Sequence, residues 1–460
     1  MMKYQSTRGI DQYSFKDILF KGLAKDGGLF IPVEWPKFDF KKYDNNVDYD
    51  ELTLEILSLF VGNDISKSDL SSIVENSYRH AFTSQDYVTY QNINQSIIVE
   101  LFNGPTLAFK DFAMQLLIPL FDHFLANENR KVNLLVATSG DTGSAAINAV
   151  SKSKHVNIFC LFPKNRISEF QRKQMSTVGK ENITLCEIDG TFDDCQNIVK
   201  SILRDQNFCN SNSVAAVNSI NWARIAIQSV YYFYSYLNNV HDYKSEVNFS
   251  VPTGNFGDIY AGYVAKKLGL PINKLIIATN ENDILYRFMQ DGRYEKKEVQ
   301  RTTSPSMDIQ IASNFERLIF DLYDSSFSVT KNKMTDFNEK GSFQVDEKIL
   351  KKMQLSFDAH RVNQIEVGEL TKEIYLNCDY LIDPHTAIGL AASKKCNDDG
   401  ALNFILSTAH PVKFSEAVES YVGSQLDLLS NYRSLYMLKE SFLSLGNDES
   451  KIKELIESKI

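Results

Sequence analysis

The sequence predicts an α/β protein in which parallel sheets are flanked by helices, with an extra N-terminal domain. Three observations predict it. From residue 95 onward, short apolar runs alternate with helix-length segments. Those runs are continuously apolar, as in Leu134-Leu135-Val136-Ala137, which is the pattern of strands covered on both faces. Residues 1–94 lack that alternation and read as a separate packing unit of helix and loop.

Taken in order, Ser14 is placed to cap a helix running through Leu23, ended by Gly27-Gly28. Pro32 and Pro36 bracket an extended piece. Asp50 is placed to cap a second helix over 52–60, stopped by Gly62, and 69–82 reads as a third. The alternating part opens with a strand over 96–101 and a helix beginning near Lys110. Strands follow at 133–138, 156–162, 183–188, 214–217, 247–251 and 274–279, with helices over 144–151, 168–178, 191–204, 221–237 and from the loop 252–258 to residue 268. Residues 291–345 are polar and read as an irregular insertion with one helix near 314–322. A last strand–helix unit starts at Tyr380-Leu381-Ile382-Asp383, residues 402–406 form the closing strand, and the tail from about 426 reads as helical.

The chain of 460 residues has room for two to four domains, and 43% hydrophobic with 23% charged residues is a globular composition. A net charge of −9 argues against a nucleic-acid or anionic-membrane partner. No apolar run reaches the length of a membrane span, and the first residues lack a signal-peptide core, so a cytoplasmic location is expected. The six cysteines form neither a CxxC pair nor a zinc spacing with histidine; they are expected to be reduced core thiols, with no metal site.

Chemistry concentrates in four places. Lys110 follows the turn signal Asn103-Gly104-Pro105 and sits among Ala108, Phe109, Phe112 and Ala113. An ammonium in apolar surroundings is poorly hydrated and sheds its proton more easily, so this lysine is suited to a Schiff base with an aldehyde. A surface lysine laying its stem over apolar neighbours fits the same residues. The other three places are loops between a strand and a helix, where ligands of parallel sheets bind. Gly254-Asn255-Phe256-Gly257-Asp258 offers two glycines and a helix start to a phosphate, yet is neither a P-loop nor GxGxxG; an ordinary tight turn is the plainer reading. Ser139-Gly140-Asp141-Thr142-Gly143 offers hydroxyls and N–H groups to a carboxylate or phosphate, or simply a helix cap. Asn218-Ser219-Ile220-Asn221 with Arg224 one turn on gathers donors for an anion, or is a capped helix with a surface arginine. Together a reactive lysine and three anion loops suggest a phosphorylated aldehyde, and pyridoxal 5'-phosphate fits both features.

These stretches, with Ser6-Thr7-Arg8-Gly9, Asp26-Gly27-Gly28-Leu29, Ser304-Pro305-Ser306 and Ser407-Thr408-Ala409-His410-Pro411, closely resemble the threonine synthase family in its long microbial and fungal form. The resemblance runs through essentially the whole chain. It implies a fold type II pyridoxal-phosphate enzyme converting O-phospho-L-homoserine and water to L-threonine and phosphate, by γ-elimination and then water addition at Cβ. A phospholyase on the same scaffold, giving an oxoacid, ammonia and phosphate, is the alternative. By resemblance Lys110 carries the cofactor and moves protons at Cα and Cβ. Gly254, Asn255, Phe256, Gly257 and Asp258 hold the cofactor phosphate, and Thr408 faces the pyridine nitrogen. Ser139, Gly140 and Thr142 hold the substrate carboxylate, with Asp141 near the cofactor 3-oxygen, where related short enzymes have asparagine. Asn218, Ser219, Arg224 and Asn255 bind the substrate phosphate. The implied domains are 1–94, a large cofactor-binding domain of 95–126 with 222–430, a small one of 127–221, and a helical tail of 431–460. The state expected is monomer or homodimer.

Overall fold

The structure is a computed structural model that describes residues 2–43, 46–82, 86–396, 400–427 and 430–460. Two sheets dominate it. The larger has six strands in the order Phe357–Arg361, Ile272–Thr279, Val247–Pro252, Leu402–Ser407, Ser96–Glu100 and Thr89–Ile93; all neighbours are parallel except the last, antiparallel pair. The smaller has five strands in the order Leu443–Gly446, Ile183–Asp189, Val156–Pro163, Val132–Ala137 and Val214–Ala216, all parallel. Central strands are buried along nearly their whole length, which explains why they read as unbroken apolar runs.

The helices Lys110–Glu128 and Trp222–Asn239 are buried on nearly every side and lie at the centre of the molecule. The N-terminal helices Phe15–Lys21, Tyr49–Val61 and Lys67–Tyr78 pack into the same apolar cluster, through Phe15, Leu52, Phe60 and Tyr78. The N-terminal segment therefore shares its core with the rest of the chain. Tyr4 and Phe60 both set their rings against Trp222, and the Tyr4 hydroxyl donates to Phe60 O at 2.6 Å.

Several expectations need correction. The second helix is capped by Asp48, whose carboxylate accepts from Glu51 N, and not by Asp50. The first 94 residues do contain strands: Tyr4–Ser6 pairs with Gln12–Tyr13 and Phe30–Pro32, and Thr89–Ile93 turns back through Asn94, at φ 55°, onto Ser96–Glu100. Residues 380–383 are not a strand. Asp383 is the N-cap of the helix Pro384–Lys395, and the strand lies upstream at Phe357–Arg361, followed by the helix Gln364–Cys378. The insertion is ordered: Arg293–Glu295 pairs with Ser342–Gln344, and Phe327–Lys340 is a helix. The tail is not wholly helical, because Leu443–Gly446 joins the edge of the smaller sheet. Cys160, Cys186, Cys195 and Cys209 are core thiols, whereas Cys378 is exposed and Cys396 only half-buried.

Candidate active site

A cavity of about 730 Å³ opens where the strand ends of both sheets meet. Every residue given a site role by the resemblance lines it except Gly140. Gly140 shapes the turn instead. Its φ is +128°, and a Cβ there would stand 2.4 Å from the Gln171 side chain.

Lys110 opens the helix Lys110–Glu128. The turn before it is held by Asp111, which accepts from Thr106 N at 2.8 Å and Thr106 Oγ1 at 2.7 Å, while Leu107 takes the left-handed conformation at φ 61°. The Lys110 side chain is 12% exposed. Its Nζ stands 3.4 Å from Asp141 Oδ2 and 5.4 Å from the centre of the Phe109 ring. Burial lowers its pKa, and the nearby Lys413 and Arg224 charges lower it further against the pull of Asp141.

Asp141 begins the helix Asp141–Val150 behind a loop drawn tight by Thr138 Oγ1, which accepts from Gly140 N and Gly143 N. Its carboxylate accepts from Gln171 Nε2 at 2.8 Å and meets Lys413 Nζ at 3.1 Å. Burial opposes its ionisation, but the Lys413 and Lys110 charges outweigh that and hold it well below the usual carboxylate range.

The glycine loop follows the strand Val247–Pro252 and enters the helix Gly257–Leu268 through Phe256 at φ 63°. Gly254 has to be glycine: a Cβ would stand 2.5 Å from Ser306 O. Asp258 turns its carboxylate to the hydroxyls of Tyr231 and Tyr232, and burial pushes its pKa up to about 6 although both tyrosines lower it. Thr408 follows the strand Leu402–Ser407 and is tied to the lysine turn, since Phe109 N donates to its carbonyl at 3.0 Å.

Arg224, one turn into the helix Trp222–Asn239, is 3% exposed, and neither Nε nor Nη1 has a partner among the described residues. Burial pushes its pKa down to about 10. A buried guanidinium facing a cavity without a counter-charge is poised for an anion. Asn218 and Ser219 lie beside it on the same wall.

Sequence reasoning missed Lys413, Gln171 and His385, and gave Ser306 no role of its own. His385 lines the cavity, with Nδ1 2.6 Å from Asp383 Oδ2 and a buried Nε2 that has no partner among the described residues. Its one sequence signal is Asp383-Pro384, a helix cap. Asp358, His360 and Cys396 come within ligating distance of one another on the outer edge of the large sheet, away from the cavity.

Parallel strands ending on a half-buried lysine, a glycine cradle and an unpaired guanidinium define a pyridoxal-phosphate-dependent enzyme of fold type II. A family model described as "Pyridoxal-phosphate dependent enzyme" matches residues 92–337, flanked by "Threonine synthase N terminus" over 3–78 and "Threonine synthase, C-terminal" over 386–456. The chain is 42% identical to the threonine synthase of Pseudomonas aeruginosa, over 99% of this chain and 98% of that one. It is 40% identical to that of Saccharomyces cerevisiae, over 98% and 94%. A crystal structure of pyridoxal-phosphate-bound threonine synthase from Brucella melitensis superposes with a TM-score of 0.95 at 42% identity, covering 100% of this chain and 99% of that one. The chain belongs to the threonine synthase family. Its activity is that of a threonine synthase, a lyase whose cofactor is pyridoxal phosphate.

Proposed function

We propose that the cavity takes O-phospho-L-homoserine and water to L-threonine and phosphate with the following division of labour. Pyridoxal phosphate, when bound, supplies the electron sink for charge developing at Cα and then Cβ. Lys110 holds the cofactor and carries protons at those two carbons; burial lowers its pKa, which favours the free amine as base. The N–H groups of the Gly254 to Asp258 turn and the start of its helix receive the cofactor phosphate. The Thr408 hydroxyl faces the ring nitrogen without giving it a charge. Ser139, Thr142 and the helix start at Asp141 receive the substrate carboxylate. Arg224, Asn218, Ser219 and Asn255 receive the substrate phosphate and stabilise it as it leaves.

The observation that carries this reading is the orphaned Arg224 guanidinium, buried in the cavity wall and without a protein counter-charge. The cofactor also fits the residues present, because the Gly254 cradle leaves no room for a side chain. A large unit around the six-stranded sheet and a small unit of residues 127–221 belong to the same proposal, with the strands Thr89–Ile93 and Leu443–Gly446 counted to the large and the small unit respectively. So does a cytoplasmic enzyme of small molecules without nucleic-acid or membrane partners; the net charge of −9 supports it, and among the described residues no helix is long and apolar enough to cross a membrane.

Arg224→Ala tests the reading. It should raise KM for O-phospho-L-homoserine by roughly ten- to a hundredfold, as expected for losing one or two charged hydrogen bonds. Pyridoxal-phosphate affinity should change less than threefold. Equal loss of cofactor affinity would reverse the two phosphate sites, and an oxoacid as main product would favour the phospholyase.

A further inference from the structure

Lys413 lies in the short 3-10 helix Pro411–Phe414, five residues beyond Thr408, and is 1% exposed. Its ammonium donates to Thr106 O at 2.6 Å and to Gln174 Oε1 at 2.8 Å, and it forms an ion pair with Asp141 Oδ1 at 3.1 Å. Lys110 is placed differently. It approaches the other oxygen of the same carboxylate at 3.4 Å, its amine's only hydrogen bond among the described residues. Asp141 thus stands between two lysines, one fixed by two further hydrogen bonds and one with no other hydrogen bond among the described residues.

We propose that Lys413 is a positioning residue for the reaction: its fixed charge answers Asp141, so that this carboxylate does not hold Lys110 as an ammonium and the Lys110 amine is left free for the cofactor aldehyde. The inference rests on the reading that Lys110 carries the cofactor. The groups that act on Lys110 come from four elements: Asp141 opposite it, Lys413, Arg224 from the long buried helix, and Asp258 from the helix after the glycine loop. His385 acts on Asp141 from a fifth. Of these, Lys413 and Arg224 disfavour charge on Lys110, Asp141 and Asp258 favour it, and Lys413 alone forms an ion pair with Asp141. Remove the Lys413 charge, and Asp141 turns to Lys110 for compensation. The two hydrogen bonds and the ion pair also join the lysine turn, at Thr106, to the helices Glu169–Ser176 and Asp141–Val150, so the tie depends on the two sides of the cavity standing together.

The test is the pH titration of the visible absorbance of the cofactor-loaded protein, for wild type, Lys413→Met, Lys413→Gln and Lys413→Arg. The neutral variants should move the midpoint up by about one pH unit or more, a tenfold change in the ratio of the two forms at a fixed pH between the midpoints. Lys413→Arg keeps the charge and should stay near the wild-type midpoint. Asp141→Asn is the independent arm if neither neutral variant folds: with the carboxylate gone, the unanswered Lys413 charge should move the midpoint below wild type. A wild-type midpoint in the folded neutral variants, or in Asp141→Asn, would overturn the proposal. Borohydride reduction and peptide mapping of each sample keeps the two readings apart. Label on a lysine other than Lys110 overturns the cofactor assignment, whereas label on Lys110 with an unmoved midpoint overturns the role of Lys413 alone.

Discussion

His410 accepts a hydrogen bond from Val412 N through Nδ1 at 3.1 Å and so caps the short helix that carries Lys413. That bond needs Nδ1 unprotonated. Burial is the main cause that pushes the His410 pKa from 6.5 down to about 4, with the Lys413 charge adding and Asp383 opposing. The unfolded chain takes up this proton near pH 6.5 and the folded one only near 4, so stability falls as pH falls through that window. The gap corresponds to roughly 3 kcal/mol once the pH is below both values. His410→Asn keeps a side-chain acceptor without the titration. Urea unfolding at pH 7 and pH 4.5 should show the variant losing about 2 kcal/mol less than wild type on acidification; equal losses would show that His410 does not titrate in that window. At this scale the sequence shows only part of the site. Lys110 and Arg224 are legible because each stands in an uncommon setting, an apolar turn and a donor-rich helix start. Lys413 and Gln171 are not, because Asp141, a partner more than 25 residues away, gives them their roles, and His385 shows in the sequence only as part of a helix start.

The loops show what an element contributes beyond its residues. Gly254 lies against the backbone of a distant segment, at Ser306, so Gly254→Ala should force the glycine loop and the Pro305–Met307 turn apart. The expected result is at least a tenfold loss of pyridoxal-phosphate affinity, with unfolding midpoints of the apoprotein within a few degrees of wild type, read by equilibrium binding and thermal melts. Unchanged affinity would mean that the loop does not hold the cofactor. Elements were legible where one physical pattern dominates. Ser14, Ser168 and Thr191 each form a capping box and mark their helix starts in the sequence as in the fold. The edge strand Phe357–Arg361 was not, since its alternate residues reach solvent and it reads as polar. The helix Phe327–Lys340 buries only Thr330 and Met334, too narrow a stripe to show in a polar stretch. Leu443–Gly446 is short and half-exposed, and only the neighbouring strand Ile183–Asp189 gives it a place.

At the scale of the whole molecule, two mainly parallel sheets present their strand ends to one cavity, and the central helices carry the lysine and the arginine to its wall. The N-terminal segment reaches the same place: Arg8 lines the cavity and is bound by Glu316 at 2.8 and 2.6 Å, while the buried Arg317 donates to Phe30 O and Ile220 O. The parallel, doubly covered sheets were legible from the apolar runs. The shared core was not, because contacts such as Tyr4 with Trp222 join residues far apart in the chain. The account as a whole turns on which amine meets the cofactor, and two buried lysines flank Asp141. The most direct measurement is borohydride reduction of the pyridoxal-phosphate-loaded protein, followed by peptide mass mapping. The account predicts a single stable adduct on Lys110, and its disappearance together with threonine formation in Lys110→Ala. An adduct on Lys413, or near-normal threonine formation by Lys110→Ala, would contradict it.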